Sequence, residues 1–174
     1  TYPNLNGYRQ SGSRVNPDEA DDVMQKIKDM AQRQGLSYDG TFANPDIYTK
    51  SNKFGAKIDW NINDFNKFSF RWSYVDAKQL NVVSSASSLN DDHYYFPFTS
   101  KTNSFTAELQ SRLSPVVSNE ARVSYVRVRD KRNVSSAFPM ISLQVTGGSV
   151  NIGNERSSMA NSLDQDIYTI EDNL

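Results

Sequence analysis

The chain has 174 residues, with 19 Lys and Arg against 20 Asp and Glu, one histidine and no cysteine. Near-balanced charge gives no general pull toward nucleic acid, and the missing cysteines exclude a disulfide scaffold, thiol catalysis and a cysteine zinc site. Mean hydropathy is -0.66, and no stretch approaches the roughly 18 consecutive apolar residues of a membrane-spanning helix.

Residues 1–15 are rich in Gly, Ser, Asn and Arg and read as an irregular loop. Because Thr1-Tyr2-Pro3-Asn4 offers neither an initiator methionine nor a signal peptide, the chain reads as processed or cut. Asn16-Pro17 is an N-cap followed by proline at the first helical position, and Asp18, Glu19, Asp21 and Asp22 complement the helix dipole. These signals predict a surface-packed helix over 17–34, with Val23, Ile27, Met30 and Ala31 as its apolar stripe and Gly35 as its stop. Residues 37–51 read as a loop.

A period of two then sets in. Over 53–62, Phe54, Ala56, Ile58, Trp60 and Ile62 share one face, against Lys53, Lys57 and Asp59 on the other. After a short turn at 63–66 the pattern resumes with Phe68, Phe70, Trp72 and Tyr74 opposite Ser69, Arg71 and Ser73, which makes a β-hairpin. Residues 76–100 form a long polar excursion ending in Tyr94, Tyr95, Phe96 and Phe98. Alternation returns over 101–113, with Phe105, Ala107, Leu109 and Leu113 against Thr106, Glu108, Gln110 and Arg112, and after a turn at 114–118 it returns again from Asn119. There Ala121, Val123 and Tyr125 oppose Glu120, Arg122 and Ser124. A second excursion covers 131–161, and 163–173 reads as a fifth, less regular strand.

Short and long connections alternate. In an up-and-down antiparallel sheet every short turn then falls at one end and every long loop at the other, which is the asymmetry of an outer-membrane barrel. Segments near 9 to 11 residues suit tilted membrane-crossing strands. Trp60 and Phe68 fall toward the short-turn interface, and Phe54, Tyr74, Phe105 and Tyr125 toward the other. The predicted fold is all-β: about five strands of a larger antiparallel up-and-down transmembrane barrel, with one helix in an N-terminal external loop. Residues 1–50 make that loop region and 51–174 the strands and their connections.

Several strings resemble the barrel of TonB-dependent outer-membrane transporters, in particular the Oar-like branch related to the SusC-like nutrient receptors. They are NKFGAKIDWNIND at 52–64, KFSFRWSYVDA at 67–77, TNSFTAELQSRLS at 102–114, NEARVSYVRVRDKR at 119–132 and NSLDQDIYTIEDNL at 161–174. The resemblance covers the last 120 or so residues well and the first fifty loosely. It implies an outer-membrane location in a Gram-negative bacterium and import of a bulky nutrient: an oligosaccharide, a peptide or a chelate. It also implies as partners the remaining barrel and plug of the same protein, the TonB complex, outer-membrane lipid and lipopolysaccharide, and a surface lipoprotein. Such barrels have about 22 strands, so the chain reads as a fragment. The other reading of the strand pattern is a soluble all-β binding or adhesion module.

Arg71, Glu108, Arg112 and Arg122 share the polar face and are the candidate lumenal contacts to substrate or plug; the plainer reading is a ladder of cross-strand charge pairs. Arg127 and Arg129 continue the apolar face beyond its end, where arginine can meet lipopolysaccharide phosphate or simply be solvated. Tyr94, Tyr95 and Phe96 can form an external stacking platform or pack their own loop. His93 follows Asp91 and Asp92, but a lone histidine leaves a transition-metal site short of ligands. Asp164 and Asp166 offer oxygen ligands without an EF-hand pattern, and Gly147-Gly148 reads as a turn. No motif calls for a cofactor, and the chain carries neither a zincin helix nor a G-x-S-x-G elbow, so it is not expected to be an enzyme.

Overall fold

A computed structural model describes residues 13–42, 45–83 and 85–174. The irregular loop expected over 1–15 therefore lies almost wholly outside the described residues. The chain divides into two compact units. Their boundaries do not follow the linear split expected at residue 50, because both long excursions fold with the N-terminal region.

One unit is the antiparallel sheet. Strands β1 (Thr49–Asn63), β2 (Asn66–Asn81), β4 (Phe96–Arg112), β5 (Ser118–Arg132) and β8 (Ser162–Asn173) lie side by side in chain order, in a sheet that is not closed. The predicted hairpins and fifth strand are all present. The strands are longer than the alternation alone indicated, running 12 to 17 residues, so the first excursion is shorter and Phe96 and Phe98 belong to β4. The first short turn is fixed by Asn63, whose Oδ1 accepts from the backbone N–H groups of Phe65 (2.9 Å) and Asn66 (2.8 Å). A side-chain oxygen there does what a backbone carbonyl does in a regular turn. In the second turn the N–H groups of Leu113 and Ser114 both donate to the Val117 carbonyl, at 3.0 and 3.1 Å. β5 and β8 are in register from Glu120↔Asn173 to Lys131↔Ser162.

The other unit has its own hydrophobic core. Helix α1 spans Pro17–Arg33, capped by Asn16, whose Oδ1 accepts from the N–H groups of Asp18 and Glu19. The buried stripe is Ala20, Met24, Ile27 and Ala31. Met30, expected in it, is half exposed, because the stripe follows the 4-3-4 spacing that starts from Ala20, and residue 30 lies off that line. The stripe packs in one cluster with Tyr38, Phe42, Leu89, Tyr95, Val150 and Ile152, so the helix helps build a core instead of lying on a surface. Burying each large aliphatic chain here contributes roughly 1.5–3 kcal/mol.

Strands β3 (Ser88–Asn90), β6 (Ile141–Val145) and β7 (Gly148–Ile152) form a second, three-stranded sheet in that unit, where only loops were expected. β6 and β7 make a hairpin closed by Val145↔Gly148, and β3 joins β7 in parallel. Gly147 supplies the φ of +87° that the turn needs, and a Cβ there would run into the Arg14 carbonyl. Thr146 ties this turn to α1, its N–H and hydroxyl donating to Glu19 at 2.8 and 2.7 Å. Those two bonds hold the Glu19 carboxyl below its ordinary range.

Candidate functional site

The five-stranded sheet has two chemically opposite faces. On the polar face a shallow depression of ≈ 540 Å³ brings together Lys57, Arg71, Glu108, Arg122 and Glu171. Three of the four residues expected to share this wall, Arg71, Glu108 and Arg122, therefore meet there. Arg112 does not. It sits by the short turns, its guanidinium 5.4 Å above the Phe65 ring. Arg122 is the hub: it pairs with Glu108 (3.0 Å), Glu120 (2.6 Å) and Glu171 (3.1 Å), carboxylates from three strands. Thr106 and Ser124 hydroxyls meet at 3.3 Å beside them. Lys57 pairs with Asp59 along β1 at 2.8 Å. The sequence could place these residues on one face but not show that Arg122 gathers three carboxylates, since that depends on register.

The opposite face is apolar and exposed. Phe54, Ile58, Trp60, Ile62, Val123 and Ile170 all project from it, Trp60 with 59% and Ile170 with 80% of its surface free. A soluble β-module would bury such a face, because contiguous apolar patches of this extent are rare on soluble monomers. Each strand also contributes one aromatic toward the long-loop end: Phe54, Tyr74, Phe105, Tyr125 and Tyr168. Rings of neighbouring strands stack, Phe54 on Tyr74 (6.4 Å), Phe105 on Tyr125 (6.2 Å) and Tyr125 on Tyr168 (4.8 Å). Tyr168 was missed in the sequence because its strand alternates poorly, and its partner follows only from the Tyr125↔Tyr168 register. From Phe54 to Ile62 the apolar band runs eight residues, about 26 Å along the strand. A tilt near 40° reduces that to about 20 Å, comparable with the ~25 Å apolar band of outer-membrane barrels.

Above the aromatic row this face turns charged. Tyr125 donates its hydroxyl to Asp166 (2.7 Å), and Arg129 pairs with Asp166 (2.6 Å) and Asp164 (3.6 Å) while donating to the carbonyls of Val128 and Gln165. Arg129, expected to meet lipopolysaccharide phosphate, is thus already engaged by two carboxylates. The two aspartates considered as calcium ligands are its partners. Arg127 lies opposite Asp166 in the register.

In the other unit, the expected aromatic platform is not a surface. Tyr95 is 1% exposed and packs the core, and Phe96 is buried beneath the Arg132 guanidinium at 5.0 Å. Tyr95 thus belongs to a core shared with α1, β3 and β7, and Tyr94 is half-buried. Asp91, Asp92 and His93 bring their ligand atoms within 4.8 Å of one another, but the carboxylates are committed to the protein. Asp91 accepts from the N–H groups of Gly153 (3.2 Å) and Tyr94 (2.9 Å) and bonds the Tyr38 hydroxyl. Asp92 accepts from the N–H and hydroxyl of Thr41 at 2.9 and 3.0 Å. His93 lies 3.3 Å from Asp39 and edge-on to Tyr38. Asp91 is fully buried, and burial pushes its carboxyl up to about 7 against those hydrogen bonds. The cluster thereby staples three chain segments, at residues 38–41, 91–94 and 153.

Comparisons with curated proteins and with solved structures returned no match. A family model described as an outer membrane beta barrel domain matches residues 1–168. That match, the apolar band with its aromatic row and the alternation of short and long connections agree: the chain belongs to the outer-membrane β-barrel family, and its place is the outer membrane.

Proposed function

We propose that this chain forms part of the barrel of a TonB-dependent transporter that imports a bulky nutrient, an oligosaccharide, a peptide or a chelate. The observation that carries the reading is the sheet's pairing of a lipid-compatible face with a densely charged one, its long connections all leaving one end and folding into a cored unit. A barrel that only sealed the membrane would need neither an organised polar wall nor a built external unit; capture and passage of a solute use both. In this reading Arg71, Glu108 and Arg122 face the lumen toward substrate or plug, and Arg112 contacts the plug near the short turns. No catalytic step is assigned to any residue.

The exposed edges of β1 and β8 call for further strands, because an unpaired edge is not tolerated in lipid. The remaining barrel and plug of the same protein are the proposed partners. Others are TonB, a surface lipoprotein, and lipopolysaccharide, which Arg127 meets above the aromatic row. Uptake of a labelled panel of oligosaccharides and peptides by cells expressing the full-length protein tests the reading. Uptake should stop when TonB or the plug is deleted. Undiminished energised uptake without TonB would contradict it.

A further inference from the structure

Around two adjoining depressions of the polar wall, away from Lys53 and Arg112, the charges are sorted by strand into two quartets of mirror composition. On β1 and β2, Lys57, Lys67 and Arg71 line these depressions with one carboxylate, Asp59, and only Lys57 bonds it. On β4, β5 and β8, Glu108, Glu120 and Glu171 surround one guanidinium, Arg122. Glu108 and Lys57 line the same depressions as members of the opposite quartet, yet among the described residues no ion pair crosses between the two. Each quartet therefore keeps a surplus of two charges, positive on one side and negative on the other. Charge sorted this way lowers stability relative to an interleaved wall, where unlike neighbours would pair across strands.

From this sorting we infer that the wall binds a dipolar solute, a short peptide with free termini. Its carboxylate would lie against Arg71 and Lys67 and its ammonium group against Glu108 and Glu171. The inference rests on the polar face lining the lumen of a transporter. A purely anionic solute would be drawn to one quartet and repelled by the other, so the two quartets together favour neither sign. Size agrees. Strands are about 4.8 Å apart, so Arg71 on β2 is one to three strands, about 5–14 Å, from the carboxylates of β4 and β8. An extended peptide covers about 3.3–3.6 Å per residue, which places the termini of a di- to tetrapeptide in that range. Guanidinium suits the terminal carboxylate, since its fork donates to both oxygens.

The test is calorimetric binding of trialanine to the full-length protein in detergent, beside its N-acetylated, C-amidated and doubly capped forms. Each free terminus should strengthen binding by up to about fivefold, the scale of a partly exposed ion pair. Arg71→Gln should erase the preference for a free C-terminus alone, with Arg71→Lys restoring part of it, and Glu171→Gln should erase the preference for a free N-terminus alone. Equal binding of all four forms, or loss of both preferences in either variant, would overturn the inference. Labelling of Ser69→Cys by a water-soluble maleimide separates the two levels. A labelled cysteine with no peptide preference rejects the dipolar ligand and leaves the lumenal wall standing, whereas an unreactive cysteine rejects the wall and the ligand together.

Discussion

Asp91 offers a quantitative prediction about the cored unit. Its carboxyl is fully buried and is pushed from an ordinary 3.8 to about 7, chiefly by desolvation. In the unfolded unit it loses its proton near 3.8, so between those values the folded state binds more protons and stability falls as pH rises. Stability is greatest below about 4, declines through neutrality and levels off above about 8. Between pH 5 and 8 the loss is about 2.7 kcal/mol, or about a hundredfold in the opening equilibrium. Asp91→Asn cannot titrate, so its opening should not change over this range. Its amide must face either the Tyr94 or the Gly153 N–H, which costs about 1–3 kcal/mol relative to the protonated acid, so the variant is the less stable at pH 5 and the two proteins should converge near pH 8. Hydrogen exchange of the β7 amides, corrected for intrinsic rates, reads the opening directly. An identical pH dependence in wild type and Asp91→Asn would refute the assignment of a protonated, buried Asp91.

Other substitutions follow from single observations. Ile170→Arg, on the apolar face, should lower the folding stability of the full-length barrel in lipid by about 2–4 kcal/mol, whereas Thr169→Arg on the polar face should be tolerated; urea titrations in vesicles measure both. Asn16→Ala removes the acceptor for the Asp18 and Glu19 amides and should cost the cored unit about 1 kcal/mol, visible as faster exchange in the first turn of α1. Gly147→Ala forces a side chain into left-handed backbone and against the Arg14 carbonyl, and should open the β6–β7 hairpin to limited proteolysis while leaving the five-stranded sheet protected.

Four of the long strands were legible because sustained alternation, as from Phe54 to Ile62, suits a two-faced strand and fits no helix period, whereas the fifth alternates less cleanly. The Asn16-Pro17 signal likewise marked the start of α1. The second sheet was not legible. β3 has three residues and pairs in parallel with a segment some sixty positions away, so no local period announces it. Tyr95 and Phe96 illustrate the same limit: an aromatic cluster in a polar stretch looks like a surface until a distant strand supplies the core that buries it. On the polar wall, face could be read from parity. The Arg122 hub and the engagement of Arg129 by Asp164 and Asp166 depend on register with β8, which sequence leaves open.

The most direct test of the barrel wall is the environment of each residue along β1. Single cysteines at 53–62 of the full-length protein, in an otherwise cysteine-free background, would carry a spin label in vesicles, with oxygen as the lipid-soluble and a nickel chelate as the water-soluble relaxant. A lipid-facing strand gives a period of two, with oxygen favoured at positions 54, 56, 58, 60 and 62 and nickel at positions 53, 55, 57, 59 and 61. Equal nickel access at both sets of positions would contradict a lipid-facing strand and remove the barrel wall on which the rest is built.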